Sequence, residues 1–358
     1  MEKVTKKKIS VIFLSFYNSY PITSGASNIS TNFYKHCPFE KKLFLINHEK
    51  KLKIKNIHNF KPINNKPIFK FFVLFPYIWK LFQNIFNNKP NIIIFEGASW
   101  VGYSFLFFII LKTFFKNIKF IYHSHNIDFE IRKKSFLLSK LTFLLEKYLV
   151  NNVDIFTVVS KKDKKNIYKL YKKKVYIVNN GVDIYKKKNN KFKKNIVLFS
   201  GSLEFSENRS AFNNFYRKVY PLIKANYKNF KIVISGNKTK FNLNKDILQV
   251  GVLEYSKYLD LLKKTKLCVY PFKKGPGTKI KVIEALCNDT PVLTTKYGFN
   301  GINLKNRKKF IYKNNTEFNQ KIKSMLEKKS LNTFRSIFFD AKKKYNMKNI
   351  SNDFFSKL

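Results

Sequence analysis

Short apolar runs alternate with longer amphipathic segments along the whole chain. Runs of this kind, four to eight residues long and separated by helical periodicity, are typical of repeated βαβ units. The strands predicted in the first half are residues 9–16, 43–47, 91–96, 118–122, 154–159 and 175–178, and those in the second half are residues 196–201, 231–236, 267–271, 291–295 and 309–312. The pattern therefore predicts an α/β fold with two Rossmann-like, doubly wound parallel domains.

The two halves are separated by residues 185–195, Tyr-Lys-Lys-Lys-Asn-Asn-Lys-Phe-Lys-Lys-Asn, which are charged and have no apolar period. We predict a linker there, after a first domain at 1–184 and before a second domain at 196–335, with a helical tail at 336–358. Amphipathic helices are predicted at 127–150 and 161–171. The apolar segment 103–115 contains Lys112 and is shorter than the roughly 20 residues of a membrane-spanning helix, so we interpret it as a buried helix.

The chain of 358 residues carries 71 Lys and Arg against 21 Asp and Glu, a formal net charge of +50. The excess is mostly Lys in short runs, and no nucleic-acid-binding motif accompanies it, so we interpret it as a solvated surface and do not expect a nucleic-acid partner. A basic face would favour peripheral contact with an anionic membrane. Three widely separated cysteines and a start without a signal-peptide pattern favour a cytoplasmic location, at most peripheral at the inner face of the membrane.

Ligands of open α/β sheets bind beyond the carboxyl ends of the strands. The loop after the first predicted strand contains Ser24 and Gly25, which could bring backbone N–H groups to a phosphate or a sugar, or could simply form a turn. The fourth predicted strand is followed by His123, His125 and Asn126. A pair of surface histidines is usually only polar surface, but its position at a strand end is one where functional side chains concentrate.

The segment from Gly275 to Glu284 carries the most specific signal. A Gly-rich loop opens a predicted helix, so that free N–H groups could bind a diphosphate while Lys279 or Lys281 neutralises its charge. Glu284, expected two turns into that helix, could accept hydrogen bonds from a ribose, or could only pair with Lys281.

At these residues the sequence resembles the group 1 retaining glycosyltransferases, whose fold is GT-B, two Rossmann-like domains that face a central cleft. Further resemblances are Phe199-Ser-Gly-Ser with Asn208, the pair His125-Asn126, the turn 180–183 and the segment 297–301. The resemblance implies a metal-independent, retaining, hexosyltransferase-like enzyme without a cofactor, whose co-substrate is a nucleotide sugar. The implied acceptor is a carbohydrate or a lipid-linked molecule, in the synthesis of surface polysaccharide or glycolipid.

The resemblance also implies roles for single residues. Glu284 would hold the ribose, Lys281 the phosphates, and His125 the donor sugar or the leaving phosphate, which makes these three the expected catalytic residues. The expected donor-binding residues are Gly201, Ser202, Arg209, Gly275, Gly277, Thr278, Lys279, Lys281 and Glu284, and those of the acceptor or cleft loop are Ser24, Gly25 and Asn126. No metal ligands are expected.

The sequence departs from the family pattern in two places. Pro276 stands where the family has a further glutamate, and Ser202 and Asn208 stand where the first loop of the family's second domain has Arg and Lys. Lys279 or Arg209 would supply a compensating charge. Two alternatives stay open from the sequence: a nucleotide-sugar epimerase on the same fold, and a catalytically weak protein that binds sugar nucleotides.

Overall fold

The structure is a computed structural model that describes residues 9–46, 54–62, 67–133, 135–184, 194–237, 244–273, 277–327 and 332–358, with the backbone alone at 67–71. Residues 185–193 of the predicted linker, and the predicted site residues Gly275 and Pro276, lie outside the described residues. The chain forms two compact units. The first comprises Met1–Pro21, Ala26–Asn179 and Ser351–Leu358, and the second comprises Ile22–Gly25 and Asn180–Ile350.

The first unit is built on a seven-stranded sheet in which all strand pairs are parallel. Its strands are β1 (Ser10–Ser15), β2 (Glu40–Ile46), β3 (Ile57–Phe60), β4 (Ile92–Gly97), β5 (Lys119–Ser124), β6 (Ile155–Val158) and β7 (Tyr176–Ile177). The order is β3-β2-β1-β4-β5-β6-β7, so the direction of winding reverses between β1 and β4. The carboxyl ends of these two strands therefore flank the switch point at which such sheets bind ligands.

Helices cover both faces of this sheet. They are α1 (Gly25–His36), α2 (Pro67–Asn88), α3 (Val101–Phe114), α4 (Asp128–Arg132), α5 (Phe136–Asn152) and α6 (Lys161–Tyr171). One buried cluster joins α2, α3, α5 and α6 to one face of the sheet through Tyr77, Phe107, Leu149 and Ile167. Near α1, the ring of Phe355 from the end of the chain stacks on Phe33 at a centroid distance of 5.1 Å.

A buried carboxylate holds the start of α4. Glu146 accepts hydrogen bonds from the backbone N–H of Asp128 at 2.8 Å and of Phe129 at 3.3 Å, and from the hydroxyl of Tyr171 at 2.6 Å. These bonds satisfy N–H groups that a helix start leaves without intrahelical partners. Burial raises the pKa of Glu146 to about 7 despite these donors.

The second unit is a five-stranded parallel sheet in the order β10-β9-β8-β11-β12. Its strands are β8 (Lys194–Ser200), β9 (Lys231–Ser235), β10 (Ile247–Gly251), β11 (Thr265–Tyr270) and β12 (Val292–Thr294). Its helices are α7 (Ser206–Asn214), α8 (Tyr220–Asn226), α9 (Tyr255–Lys264), α10 (Ile280–Cys287), α11 (Asn315–Glu327), α12 (Arg335–Tyr345) and α13 (Met347–Phe355), with a π-helical turn, Phe215–Val219, between α7 and α8. The last part of α13 belongs to the first unit.

Most predicted strands are confirmed, and the prediction of two parallel α/β domains is confirmed with them. The strand predicted at 309–312 is wrong, because Arg307–Phe310 is a 3-10 helix and Ile311 makes only an isolated bridge to Thr294. Strands β3 and β10 were not predicted. The predicted helix 127–150 is divided into α4 and α5.

Segment 103–115 is helical, as predicted, but it is only partly buried. Phe107, Phe108 and Leu111 of α3 are buried, whereas Leu106 is 41% exposed and Phe114 67% exposed. Within the described residues, no helix is long and apolar enough to cross a membrane.

Candidate functional site

The start of α10 lies in the second unit, after strand β11. Gly277, with φ at +71°, Thr278 and Lys279 lead into the helix, which begins at Ile280. The side chain of the N-cap residue Lys279 makes no capping hydrogen bond, and the first N–H groups of α10 lie at the positive end of the helix dipole. This geometry suits an anion.

Lys281 is held beneath the loop that follows β8. Its Nζ donates hydrogen bonds to the carbonyl of Ser200 at 2.7 Å and to Oδ1 of Asn208 at 2.9 Å. Burial and the neighbouring positive charge of Lys279 lower the pKa of Lys281 to about 7. Burial makes the protonated form of Lys281 unfavourable, and an anionic ligand beside Nζ would stabilise that form.

Gly201 is required where the β8 loop passes this ammonium group. Its φ is +142°, a conformation that residues with side chains rarely adopt, and a methyl group there would overlap Nζ of Lys281. Asn208 fixes the same loop, because its Nδ2 donates to the carbonyl of Ser202 at 2.7 Å. Loop and lysine are thus positioned by each other.

Two buried tyrosines are hydrogen-bonded to the end of β8, and the sequence pattern did not indicate them. The hydroxyl of Ser200 lies 2.7 Å from that of Tyr270 and 3.1 Å from that of Tyr258. Burial raises the pKa of both tyrosines, and the charge of Glu284 raises that of Tyr258 further. The network joins β8, β11 and α9, so it positions the strand end that Lys281 contacts.

Glu284 is buried on the inner side of α10, with 7% of its surface exposed. It is the fifth residue of the helix, just over one turn from the start rather than the two turns expected, because α10 begins only at Ile280. Its carboxylate opposes the lowering of the Lys281 pKa. The two side chains are therefore one helical turn apart, and the negative charge of Glu284 favours the protonated form of Lys281.

Other predicted donor residues are placed around this centre. Nη1 of Arg209 donates to the carbonyls of Leu203 at 2.8 Å and Glu204 at 2.6 Å, so it holds the β8 loop. Ser202 accepts a hydrogen bond from the N–H of Glu204 at 3.3 Å within that loop. The Nζ of Lys279 lies 5.4 Å from the ring centre of Phe272.

Two further contacts complete this part of the second unit. Gly301, with φ at +73°, packs so closely on Thr278 that a methyl group there would overlap the threonine hydroxyl. A methyl group at Gly25 would lie 3.4 Å from the side chain of Ile280 at the start of α10. Gly25 and Ser24 are therefore placed with the donor residues in the second unit.

His125 lies in the first unit, directly after β5, with only 4% of its surface exposed. Its Nε2 is 2.8 Å from Oε2 of Glu96, at the end of β4, and that carboxylate also accepts a hydrogen bond from Ser30. Burial acts to raise the pKa of Glu96, but the hydrogen bond from His125 and the charges of His123 and His125 outweigh it and lower the pKa. An ionised Glu96 fixes the proton on Nε2, which leaves Nδ1 as the nitrogen without that proton.

Within the described part of the chain, Nδ1 of His125 has no hydrogen-bond partner. Asn126, the next residue, is exposed. Burial lowers the pKa of His123 to about 4, so this second histidine is neutral and bonds Thr157 at 2.8 Å. The sequence pattern does not indicate Glu96, because Glu96 lies next to His125 only through the pairing of β4 with β5.

Glu96, His123 and His125 could together hold a metal ion, since they offer ligand atoms within 4.8 Å of one another. The same carboxylate is already engaged by His125 and Ser30. We therefore interpret the cluster as a hydrogen-bond network around His125.

Comparison with known families identifies both halves of the chain. The model of the family described as Glycosyltransferase Family 4 matches residues 36–186, and that of Glycosyl transferases group 1 matches residues 194–328. The second match contains every donor-binding residue predicted from the sequence. No curated protein sequence matches the chain.

Solved structures of glycosyltransferases share the fold. Sucrose-phosphate synthase from Thermosynechococcus elongatus has a TM-score of 0.68 at 13% identity, over 98% of each chain. HepE from Anabaena, in complex with UDP and glucose, has a TM-score of 0.65 at 11% identity, over 98% of this chain and 99% of its own. A glycosyltransferase from Rickettsia africae has a TM-score of 0.62 at 14% identity, over 98% of this chain and 97% of its own. The chain belongs to the group 1 glycosyltransferases and has the GT-B fold.

Proposed function

We propose that this glycosyltransferase moves a sugar from a nucleotide-sugar donor to a carbohydrate or lipid-linked acceptor, in the synthesis of surface polysaccharide or glycolipid, with retention of the anomeric configuration. The observation that carries the proposal is the ammonium group of Lys281, held under the β8 loop beside the uncapped start of α10. A diphosphate is the part of such a donor that this arrangement suits.

In the proposed reaction, the bond between the anomeric carbon and the oxygen of the β-phosphate breaks, the oxygen of an acceptor hydroxyl bonds to that carbon, and the hydroxyl proton passes to the leaving phosphate oxygen. Negative charge accumulates on the diphosphate as its bond to the sugar breaks. Lys281, Lys279 and the N–H groups at the start of α10 stabilise this charge, because they are positioned before the reaction begins. These groups do the work of a cation, so we propose that no metal ion is needed.

We assign the ribose to Glu284. A buried carboxylate one turn into α10 can accept hydrogen bonds from two vicinal hydroxyls. Support for a nucleotide sugar as the ligand comes from structures of HepE, which contain UDP and UDP-glucose. UDP-glucose is therefore the first donor to be tested.

His125 is proposed to contact the donor sugar or the leaving phosphate through Nδ1. Glu96 holds the opposite nitrogen at 2.8 Å and so fixes the orientation of the ring. In this role Glu96 is a positioning residue for His125.

Two other functions are less well supported. A nucleotide-sugar epimerase would use the same fold, but both family matches are to glycosyltransferases. A protein that binds sugar nucleotides without transferring them would be stabilised by the donor but would form no product with any acceptor. Incubation with the nucleotide sugar alone distinguishes an epimerase from a transferase. An epimerised product formed without any acceptor would exclude transfer as the main activity.

The test begins with thermal stabilisation by a panel of UDP-, GDP- and other nucleotide sugars, since a ligand that binds the folded state alone raises its stability. With the donor that stabilises best, Lys281→Ala and Glu284→Ala should each lower transfer by at least about ten-fold, the loss of roughly 1.4 kcal/mol of stabilisation. Lys257→Ala, an exposed lysine on α9, is the matched control and should transfer normally. Normal transfer by folded Glu284→Ala would contradict the proposal.

A further inference from the structure

Helix α2 has an apolar surface on the side that points away from the core. Tyr77, Leu81 and Ile85 are buried on its inner side. On the opposite side Phe72 is 62% exposed, Trp79 68% and Phe86 64%, at spacings that keep them in one stripe. An outward helix face in a soluble domain is normally polar, so this stripe requires an explanation.

Helix α5 has a second stripe of the same kind. Leu137 is 80% exposed, Leu141 45%, Leu144 61% and Tyr148 41%, and their spacings of four, three and four residues place them on one face. Beside them, Lys140 and Lys147 are exposed.

Helix α3 lies between these two stripes. Its Phe114, 67% exposed, packs against Phe82 of α2 at a centroid distance of 5.6 Å. Its Phe105 packs against Tyr148 of α5 at 5.3 Å. All three helices join the same buried cluster on one side of the sheet, so their outer sides form one continuous surface. We call this surface, formed by the outer sides of α2, α3 and α5, the apolar face.

The charges around the apolar face are almost all positive. The three helices carry Lys80, Lys140 and Lys147 as exposed cations, while Lys112 is half-buried and lies 3.9 Å from the carboxylate of Asp154, which follows α5. Their single acidic residue is Glu146, which is fully buried at the start of α4. Exposed Lys89 and Lys116 follow the ends of α2 and α3. A partner of the apolar face must therefore accept both large apolar side chains and a ring of ammonium groups.

We propose that the apolar face binds the surface of an anionic lipid bilayer. Trp, Phe and Leu side chains would enter the boundary between headgroups and acyl chains, and the lysines would contact anionic headgroups. The positive charge favours a lipid surface as the partner. Anionic headgroups are present over the whole of such a surface, so each lysine can contact one without a specific arrangement of the partner's charges. This inference deepens the proposed function: it names the surface that would bring the enzyme to a lipid-linked acceptor.

The first experiment uses the intrinsic fluorescence of Trp79. On vesicles of phosphatidylcholine with about one third phosphatidylglycerol, Trp79 should leave water, so the emission should shift to shorter wavelength. The chain has two tryptophans, and Trp100 donates its Nε1 hydrogen bond to Thr142 at 3.2 Å. Trp79→Phe keeps the apolar contact and removes the reporter, so it should still sediment with vesicles while losing the shift.

The second experiment measures partition by sedimentation with the same vesicles. Trp79→Ser and Leu137→Ser should each weaken partition about ten-fold, the effect of keeping one large apolar side chain out of the bilayer. Lys140→Glu with Lys147→Glu should weaken binding to the anionic vesicles and leave the weak binding to pure phosphatidylcholine unchanged. Phe339→Ser is the matched control, because Phe339 is 71% exposed on α12 of the second unit.

Three results would overturn the inference. They are partition of Trp79→Ser equal to that of Phe339→Ser, equal binding of the wild type to anionic and neutral vesicles, and a concentration-dependent dimer in solution that Trp79→Ser dissociates. Each variant is first shown to bind UDP-glucose as the wild type does. If no variant and no wild type binds a nucleotide sugar, the proposed function fails while the vesicle result still stands.

Discussion

Donor binding should depend on pH through Lys281. In the unliganded protein its pKa is about 7, because burial and Lys279 disfavour the charged form. A bound diphosphate would favour that form and raise the pKa, so binding above pH 7 must take up a proton. Affinity is then fully present below pH 7 and decreases as pH rises.

The magnitude follows from the fraction of protonated lysine. With a pKa of about 7 and a much higher pKa in the complex, the Kd should rise about ten-fold per pH unit above 7, or roughly 25-fold between pH 6.5 and 8.5. UDP-glucose is a suitable ligand, because its diphosphate has no ionisation in this range. Calorimetry in buffers of different ionisation enthalpy should detect uptake of about one proton per ligand at pH 8.

Two variants separate Lys281 from its neighbour. Lys281→Arg stays charged at every pH used, so its Kd should lose the slope whatever its absolute value. Lys279→Arg should keep the slope, although burial lowers the pKa of Lys279 as well. A wild-type Kd that is constant from pH 6.5 to 8.5, or an unchanged slope in Lys281→Arg, would refute the reasoning.

Three further predictions concern single residues. Gly201→Ala should weaken donor binding at least about ten-fold in a calorimetric titration, because the methyl group displaces the buried ammonium group, whereas Gly251→Ala, also at positive φ but with open space around it, should bind the donor normally. Glu96→Gln should lower kcat with little change in KM and shift the pH profile of kcat, since His125 loses its charged partner; a profile identical to the wild type would exclude a positioning role. Glu146 holds its proton in the folded state up to about pH 7 and releases it near pH 4.3 when unfolded, so its contribution to stability falls by about 2.5 kcal/mol from pH 5 to 8. Glu146→Gln should remove that decrease in denaturant titrations, and stability-against-pH curves that stay parallel for the wild type and the variant would contradict the pKa.

The sequence predicted the strands well where they are central and apolar. β4 and β8 are runs of large hydrophobic residues, and burial on both faces leaves that pattern in a parallel sheet. β3, Ile-His-Asn-Phe, has two polar residues in its centre and lies at the edge of the sheet, so periodicity did not indicate it. Residues 309–312 have the composition of a strand, but Lys309 and Phe310 end a 3-10 helix.

The candidate site was predictable as far as it is local in sequence. The loop before α10 and the residues Lys281 and Glu284 are close together along the chain, so spacing indicated their relation. Asn208 under Lys281, and Glu96 beside His125, depend on contacts across 73 and 29 positions. Such partners follow from strand order, which the sequence pattern did not determine.

The final helix, α13, has a consequence for how the chain becomes folded during synthesis. Phe355 stacks on Phe33 in the core of the first unit, yet the whole second unit precedes it along the chain. At translation rates of 5–20 residues per second, the nascent first unit waits on the order of 10 s for its last core side chains. During that interval Phe33 is without one of its core neighbours, so its ring stays open to chaperones that bind exposed aromatic groups until α13 has been synthesised.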